Sequence, residues 1–479
     1  MKEVRTRVGL VGAVHPNMPG DDEGLVRRCA AAMEGYAKEM GFELSVYPKS
    51  LHSEADAEAA RAFMDGEGAD LVLLLNASLP YGRVILPLAR ARAAMGLWSV
   101  PEPTSSGVLQ LNSFCGTNML GAIIANYLGE HDIPYKWFYG LPEDPRFRRR
   151  LEVSVRALKA VKVLKGARIA QIGGLADGFE NLYVDERVLE KRFGTKLQTR
   201  HSVEEIVARA QALSAADAAA EVARMLSEAR TAGGGLKGEQ LEKSARVFLA
   251  LRGFAADNGY DALALSCWSR FQQVYGIAVC ASMSRLNEEG TVTPCEADVT
   301  SAVTMLVLNA LNGGKAALCD LVSFDEADRS LNLWHCGVAP ASWAGEAGAS
   351  WDSHFNIGKY EGEAWKGEGV VADMRFASGA VTVSNIRNDF EELFVLSGQS
   401  LGGKPSFSGS GGWVGDLRLD GESIGIEELM NTIVVGRVNH HYAAARGELT
   451  DELNEFAAWT GLRVVQRIAP KPYLQRYPG

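Results

Sequence analysis

Short buried runs alternate with helical stretches along the first 150 residues, and that alternation limits the chain to a few folds. Residues 7–14 (RVGLVGAV) read as a strand, 25–36 as an alanine-rich helix, 42–47 as a strand and 55–64 as a helix. Residues 70–75 form a central strand, and 83–94 read as the next helix. Strands separated by helices of this length need right-handed crossovers, and so a mostly parallel sheet. Ligands of such sheets meet the loops at the carboxyl ends of the strands. Those loops hold His15, Asn17, Asn76 and Ser78. Gly9, Gly12 and Gly20 do not make the compact GxGxxG fingerprint, so a dinucleotide site is not expected.

A second α/β stretch follows. Residues 153–164 read as a helix and 167–172 as a strand ending in Gly173-Gly174. Residues 203–226 are helical, 261–267 and 276–282 strand-like, 298–311 a helix with an apolar stripe, and 316–322 a strand. From about residue 335 glycine and tryptophan accumulate. Residues 370–376, 380–386 and 393–397 read as short strands, and 402–415 as an exposed glycine- and serine-rich loop. A helix over 451–459 precedes a last strand at 463–465. Many short strands with glycine-rich turns favour an antiparallel sheet or small barrel. The expected architecture is α/β: two Rossmann-like parallel-sheet domains (1–150 and 151–334) followed by a β-rich, barrel-like domain (335–479).

A length of 479 residues with 47% hydrophobic side chains fits such a multi-domain globular chain. No run approaches the ~20 apolar residues of a bilayer span. The start, MKEVRTRVGLVGAVHP, lacks the apolar segment of a signal peptide, which predicts a cytoplasmic location. The net charge of -10 argues against nucleic acid as a partner. The one basic cluster (Arg146, Arg148, Arg149, Arg150) reads as a solvated helix start or subunit contact. Seven cysteines without a CxxC pair suggest buried free thiols rather than disulfides or structural zinc.

Acids in apolar company mark the chemistry. Glu296 lies in Thr293-Pro-Cys-Glu-Ala-Asp298, just before a helix, where a carboxylate can be a cap or a ligand. Asp320 interrupts the apolar run 316–322, and an aspartate there must be paired or bind a metal. With an imidazole from the third region, such acids make an oxygen-rich site for Mn²⁺ or Mg²⁺. His335 follows Trp334, and His440-His441 follows Asn439. His52, His131 and His201 sit in polar settings that suit surface or capping roles.

Four stretches carry a family likeness: Thr293–Asp298, Cys319-Asp320, Asn332-Leu-Trp-His335-Cys-Gly and Asn439-His-His441-Tyr. In these the chain resembles the L-fucose isomerase and L-arabinose isomerase superfamily, in a short, divergent L-fucose isomerase-like branch. The resemblance implies Glu296, Asp320 and His441 as ligands of one Mn²⁺ per subunit (or Mg²⁺ or Co²⁺), with His335 as a candidate fourth ligand. Glu296 and Asp320 would also carry the proton in an aldose–ketose isomerisation of an open-chain pentose, hexose, or deoxy or modified sugar through a cis-enediol. Candidate sugar contacts are His15, Asn17, Asn76, Ser113, Trp268, Arg270, Gln272, Trp334, His335, Asn439 and His440. The family's habit implies a homo-oligomer, trimer or hexamer, in which one subunit's first domain covers another's site. Two alternatives stay open: another metal-dependent reaction on a modified carbohydrate, such as a lyase or hydrolase, and a non-enzymatic sugar-binding protein.

Overall fold

The computed structural model describes residues 4–129, 133–232, 236–355, 359–361, 364–366 and 368–476, so His131 lies outside the described residues. The chain forms two compact units, Lys2–Lys162 and Val163–Gly479. No helix of the described residues is long and apolar enough to cross a membrane.

The first unit is a five-stranded parallel sheet. Its strands run in the order Glu43–Val46, Arg7–Ala13, Leu71–Asn76, Ala94–Ser99, Tyr135–Tyr139. Leu71–Asn76 (LVLLLN) is buried throughout, as a central strand covered on both faces must be. The strand order reverses between Arg7–Ala13 and Leu71–Asn76, and a crevice opens at such a switch point. The helix expected over 83–94 stops early. Ile85–Leu88 is its only α-helical turn, and Ala94–Ser99 is a buried strand. The arginine cluster is at the start of helix Pro145–Gly166, with Arg146 paired to Asp144 and Arg148 to Glu39.

The second unit opens with a smaller parallel sheet, ordered Lys196–His201, Arg168–Ile172, Ala262–Leu265. The long helix expected over 203–226 is two helices, Val203–Ala212 and Ala215–Glu228, because Ser214 caps the second. Residues 276–282, apolar enough for a strand, instead lead into the helix Cys280–Glu289.

Beyond them the chain closes a barrel. Glu392–Ser400 pairs with Gly379–Ile386, which pairs with His441–Arg446, then Ala317–Asp325, Ser330–His335 and Ser410–Leu419. Ser410–Leu419 returns to Glu392–Ser400, so six antiparallel strands form a ring. A ring this small holds only side chains. Cys319, Leu333, Val383, Phe394, Val414 and Tyr442 belong to its core cluster. The helix Val299–Asn312 packs on the barrel strands His441–Arg446 and Gly379–Ile386 and on the sheet strand Ala262–Leu265. Its residues Val299–Leu311 are all buried. Fully burying each large aliphatic side chain there contributes about 1.5–3 kcal/mol.

The glycines of 402–415 are not loop residues alone. Strand Ser410–Leu419 runs through them because backbones approach closely there. A Cβ on Gly411 would lie 2.6 Å from the Leu333 carbonyl oxygen. Gly411→Ala should therefore lower stability by roughly 1–3 kcal/mol, since the obstructing atom is backbone in a closed ring. Gly253→Ala, on a helix with nothing within 4 Å of the new methyl, should instead raise stability by about 0.5–1 kcal/mol. Urea titrations of the two variants measure both.

Candidate metal centre

Strand register sets the first contacts. In the barrel Asp320 lies directly opposite His441 on one side and Trp334 on the other. Cys319 and Tyr442 belong to the barrel core, so the period of two puts Asp320 and His441 on the outer face. Glu296 arrives from the segment between strand Ala262–Leu265 and helix Val299–Asn312. The Oε2 of Glu296 is 3.3 Å from His441 Nε2, and Asp320 Oδ1 is 3.8 Å from the same nitrogen. Asp320, His335 and His441 offer ligand atoms within 4.8 Å of one another, and so do Glu296, His440 and His441.

The Glu296 segment is held in an unusual path. Glu296 (φ 59°) and Ala297 (φ 56°) are both left-handed, a conformation that costs of order 1–3 kcal/mol for each non-glycine residue. Several bonds pin the segment. The Ala297 N–H donates to the Leu265 carbonyl (3.0 Å), Gln171 Nε2 donates to the Ala297 carbonyl (3.0 Å), and the Asp298 N–H donates to Cys295 (3.1 Å). A disulfide joins Cys295 to Cys267. This corrects the expectation of seven free thiols: the segment runs beside the strand end, so cysteines 28 residues apart in sequence meet. Cys29, Cys115, Cys280, Cys319 and Cys336 are free.

Asp298 completes the arrangement from behind. It is fully buried, caps the helix through Ser301 N–H (2.9 Å), and accepts from Thr300 and Ser301 hydroxyls at 2.7 and 2.6 Å. Its Oδ2 lies 2.9 Å from His441 Nδ1. Burial opposes its charge, but the bonds to His441 and Ser301 outweigh that and hold its carboxyl below the usual range. The imidazole of His441 thus donates Nδ1–H to Asp298 and turns Nε2 toward Glu296 and Asp320. This is the carboxylate–histidine relay by which proteins orient a metal ligand.

Three carboxylates around one imidazole demand a positive charge. Burial disfavours charge on His441, yet hydrogen bonds to Asp298 and Glu296 raise its pKa to about 10. Burial likewise disfavours charge on Glu296, but His440 and His441 bring it down to about 2. A proton on Nε2 is one way to supply the charge, and a divalent cation is the other. The donor set fits a cation: carboxylate oxygens and imidazole nitrogens are both ligands of divalent metals. Asp320 Oδ1 is buried without a hydrogen-bond partner, as a ligand atom awaiting a cation would be.

The remaining walls are aromatic and amide. His440 Nε2 is 3.4 Å from Glu296 Oε2, and its Nδ1 is 2.9 Å from Asn181 Nδ2. Phe179 faces the His440 ring at 5.6 Å. Trp334 faces Phe355 at 5.9 Å and donates its N–H to the Ser408 carbonyl. Buried His335 has its Nε2 unpartnered, as is Asn439 Nδ2, and burial keeps the His335 imidazole down and neutral. Gln272 is buried with a free Oε1, Trp268 is half-buried, and the exposed Arg270 guanidinium is engaged by Glu204.

The other expected contacts lie at the carboxyl end of the first unit's sheet. The His15 N–H donates to Ser78 Oγ (2.7 Å), its ring faces Tyr81 at 4.8 Å, and Asn17 is exposed beside it. Asn76 and Ser113 are fully buried, with Asn76 Nδ2 bonded to Thr117 and Ser113 Oγ accepting from the Val100 N–H. Asn181 carries no sequence signal, and Asp298 could have been found only by its place two residues beyond Glu296.

No family model matches the chain. It is similar to a sulfoquinovose isomerase of Alkalicoccus urumqiensis, 30% identical over 379 residues, which cover 77% of this chain and 80% of that one. A sulfoquinovose isomerase of Priestia megaterium is 27% identical over 413 residues, 85% and 88% of the two chains. These relatives are not L-fucose or L-arabinose isomerases, so the resemblance read from the four stretches holds at the coarser level of sugar isomerases.

A cation must displace the proton that His441 holds up to about pH 10, so divalent-metal affinity should rise with pH from neutral toward that value. Asp298→Asn keeps the cap and weakens the hold on both proton and metal. Calorimetric titration should show affinity about 10–100-fold lower, and the rise with pH ending at a lower pH than in the wild type.

Proposed function

The chain belongs to the family of the sulfoquinovose isomerases, and from that premise we propose that it is a metal-dependent aldose–ketose isomerase acting on the open chain of a sulfonated aldose such as sulfoquinovose. The observation that carries this reading is the convergence of Glu296 and Asp320 on His441 Nε2, at 3.3 and 3.8 Å. A divalent cation bound there would polarise the sugar carbonyl and make the adjacent carbon acidic.

The side chains supply the rest. Glu296 is ionised at neutral pH, so it can accept the proton from C2. The electron pair of that C–H bond becomes the C1–C2 double bond as the carbonyl pair moves onto O1, giving a cis-enediolate, and the O2 proton passes to O1. Glu296 returns its proton to C1, directly or by way of Asp320, as the O2 pair forms the C2 carbonyl and completes the ketose. His441 is fixed by Asp298, which keeps its lone pair in place through the cycle. His440 bonds Glu296 on the far side and restrains its carboxylate. Trp334, Phe355 and Phe179 offer apolar walls that limit water around the enediol.

The working form we propose is a homo-oligomer, trimer or hexamer. Apolar side chains left exposed on the first unit support this, among them Val108, Phe114, Tyr127 and Trp137. Light scattering at assay concentration should show more than one chain per particle. A fully active monomer would contradict the oligomer alone.

Turnover in D₂O tests the chemistry. Deuterium should appear in the product by mass spectrometry. Glu296→Gln should lose ~10²–10⁴ in kcat with little change in KM, because the amide keeps shape but cannot accept the proton. A protium-only product together with a Glu296→Gln enzyme retaining more than about a tenth of the wild-type rate would remove Glu296 as the base.

A further inference from the structure

We infer that His335 acts as a hydrogen-bond donor to a sugar oxygen beside the cation, and is not a ligand of that cation. This rests on the reading of Glu296, Asp320 and His441 as a metal centre.

A neutral imidazole offers one N–H and one lone pair. The Nδ1 of His335 accepts the backbone N–H of Cys336 at 2.9 Å. A backbone N–H can only donate, so Nδ1 presents its lone pair and the proton sits on Nε2. That Nε2 is buried and has no partner, in a residue only 2% exposed. His441 has the opposite arrangement, with Nδ1–H given to Asp298, so that Nε2 is the nitrogen whose lone pair a cation would take in place of a proton. Two rings with centroids 5.5 Å apart are therefore set as complementary tautomers, one able to ligate and one able to donate.

The surrounding backbone resists a swap. To become a ligand through Nε2, His335 would have to place its proton on Nδ1, against the Cys336 N–H. Turning the ring away would disturb a crowded frame. Trp334 is anchored to Ser408, and a Cβ on Gly409 would already meet the His335 carbonyl oxygen at 2.6 Å. Gly337 takes φ 117° with its missing Cβ 2.7 Å from Val371.

A ring nitrogen of His335 lies within 4.8 Å of ligand atoms of Asp320 and His441. A substrate oxygen held beside Asp320 and His441 would therefore come within reach of the His335 N–H. As the C2 proton leaves, negative charge gathers on the sugar oxygens, and a buried N–H aimed there stabilises it. Loss of one such donor typically costs ~10²–10³ in kcat.

Cobalt binding separates ligand from donor. His335→Ala and His335→Gln should bind Co²⁺ within about threefold of the wild type and leave its visible absorption unchanged. His441→Ala should weaken binding about tenfold or more and alter the spectrum. His335→Ala should lose ~10²–10³ in kcat, and His335→Gln, which keeps an N–H donor, should recover at least about tenfold of that loss. If His335→Ala fails to fold, His335→Gln carries the comparison. Weakened Co²⁺ or a changed spectrum in the His335 variants would make His335 a ligand and overturn the inference. Full turnover in His335→Ala would overturn it as well. A wild type that binds no Co²⁺ sinks the metal-centre reading itself, and the inference with it.

Discussion

A fully buried carboxylate must find partners on every side, and Asp298 finds them in the start of the central helix and in the barrel strand packed against it. One oxygen takes the Thr300 hydroxyl and the Ser301 N–H, closing the start of the central helix. The other takes the Ser301 hydroxyl and the His441 ring. The helix start, the barrel strand that begins at His441 and the Glu296 segment are thereby locked to one point. Orientation of the His441 imidazole and integrity of the helix rest on the same charge.

The strained Glu296–Ala297 path makes sense in that setting. Two successive left-handed residues cost several kcal/mol in a free chain. Here Leu265, Gln171 and the Cys267–Cys295 link over-determine the segment, so the strain persists in the folded protein. The conformation turns the Glu296 carboxylate toward the histidines while Asp298, two residues on, faces them from the helix start. A relaxed segment would keep the helix cap and lose the pairing of the two acids about one imidazole.

Much of this was legible in the sequence, for identifiable reasons. Asp320 stands out because an acid interrupts an apolar strand, and the barrel register shows why: it points out of the core toward His441. In Gly379–Ile386 the alternation of Val381 and Val383 with Thr382 and Ser384 marks the strand. Residues 402–415 misled because glycine signals both loops and close backbone approach, and only the neighbouring strand tells which. The short apolar run 276–282 fits strand and helix alike, and the helix expected over 83–94 ends after a single α-helical turn at Leu88. The Cys267–Cys295 pair, Asn181 and the tautomers of His335 and His441 depend on distances that no spacing encodes.

Closure of the barrel has a consequence for the fidelity of the chemistry. In an open sheet, a strand displaced by one residue turns its whole side-chain set over. Here such a slip would present Cys319 or Leu321 where Asp320 faces His441. In a ring, Ala317–Asp325 is gripped by His441–Arg446 on one flank and Ser330–His335 on the other, and their own neighbours lead back round to each other. No strand of the six can slide without shearing the rest, so misregistered copies carrying an intact fold but a dead centre are excluded by topology.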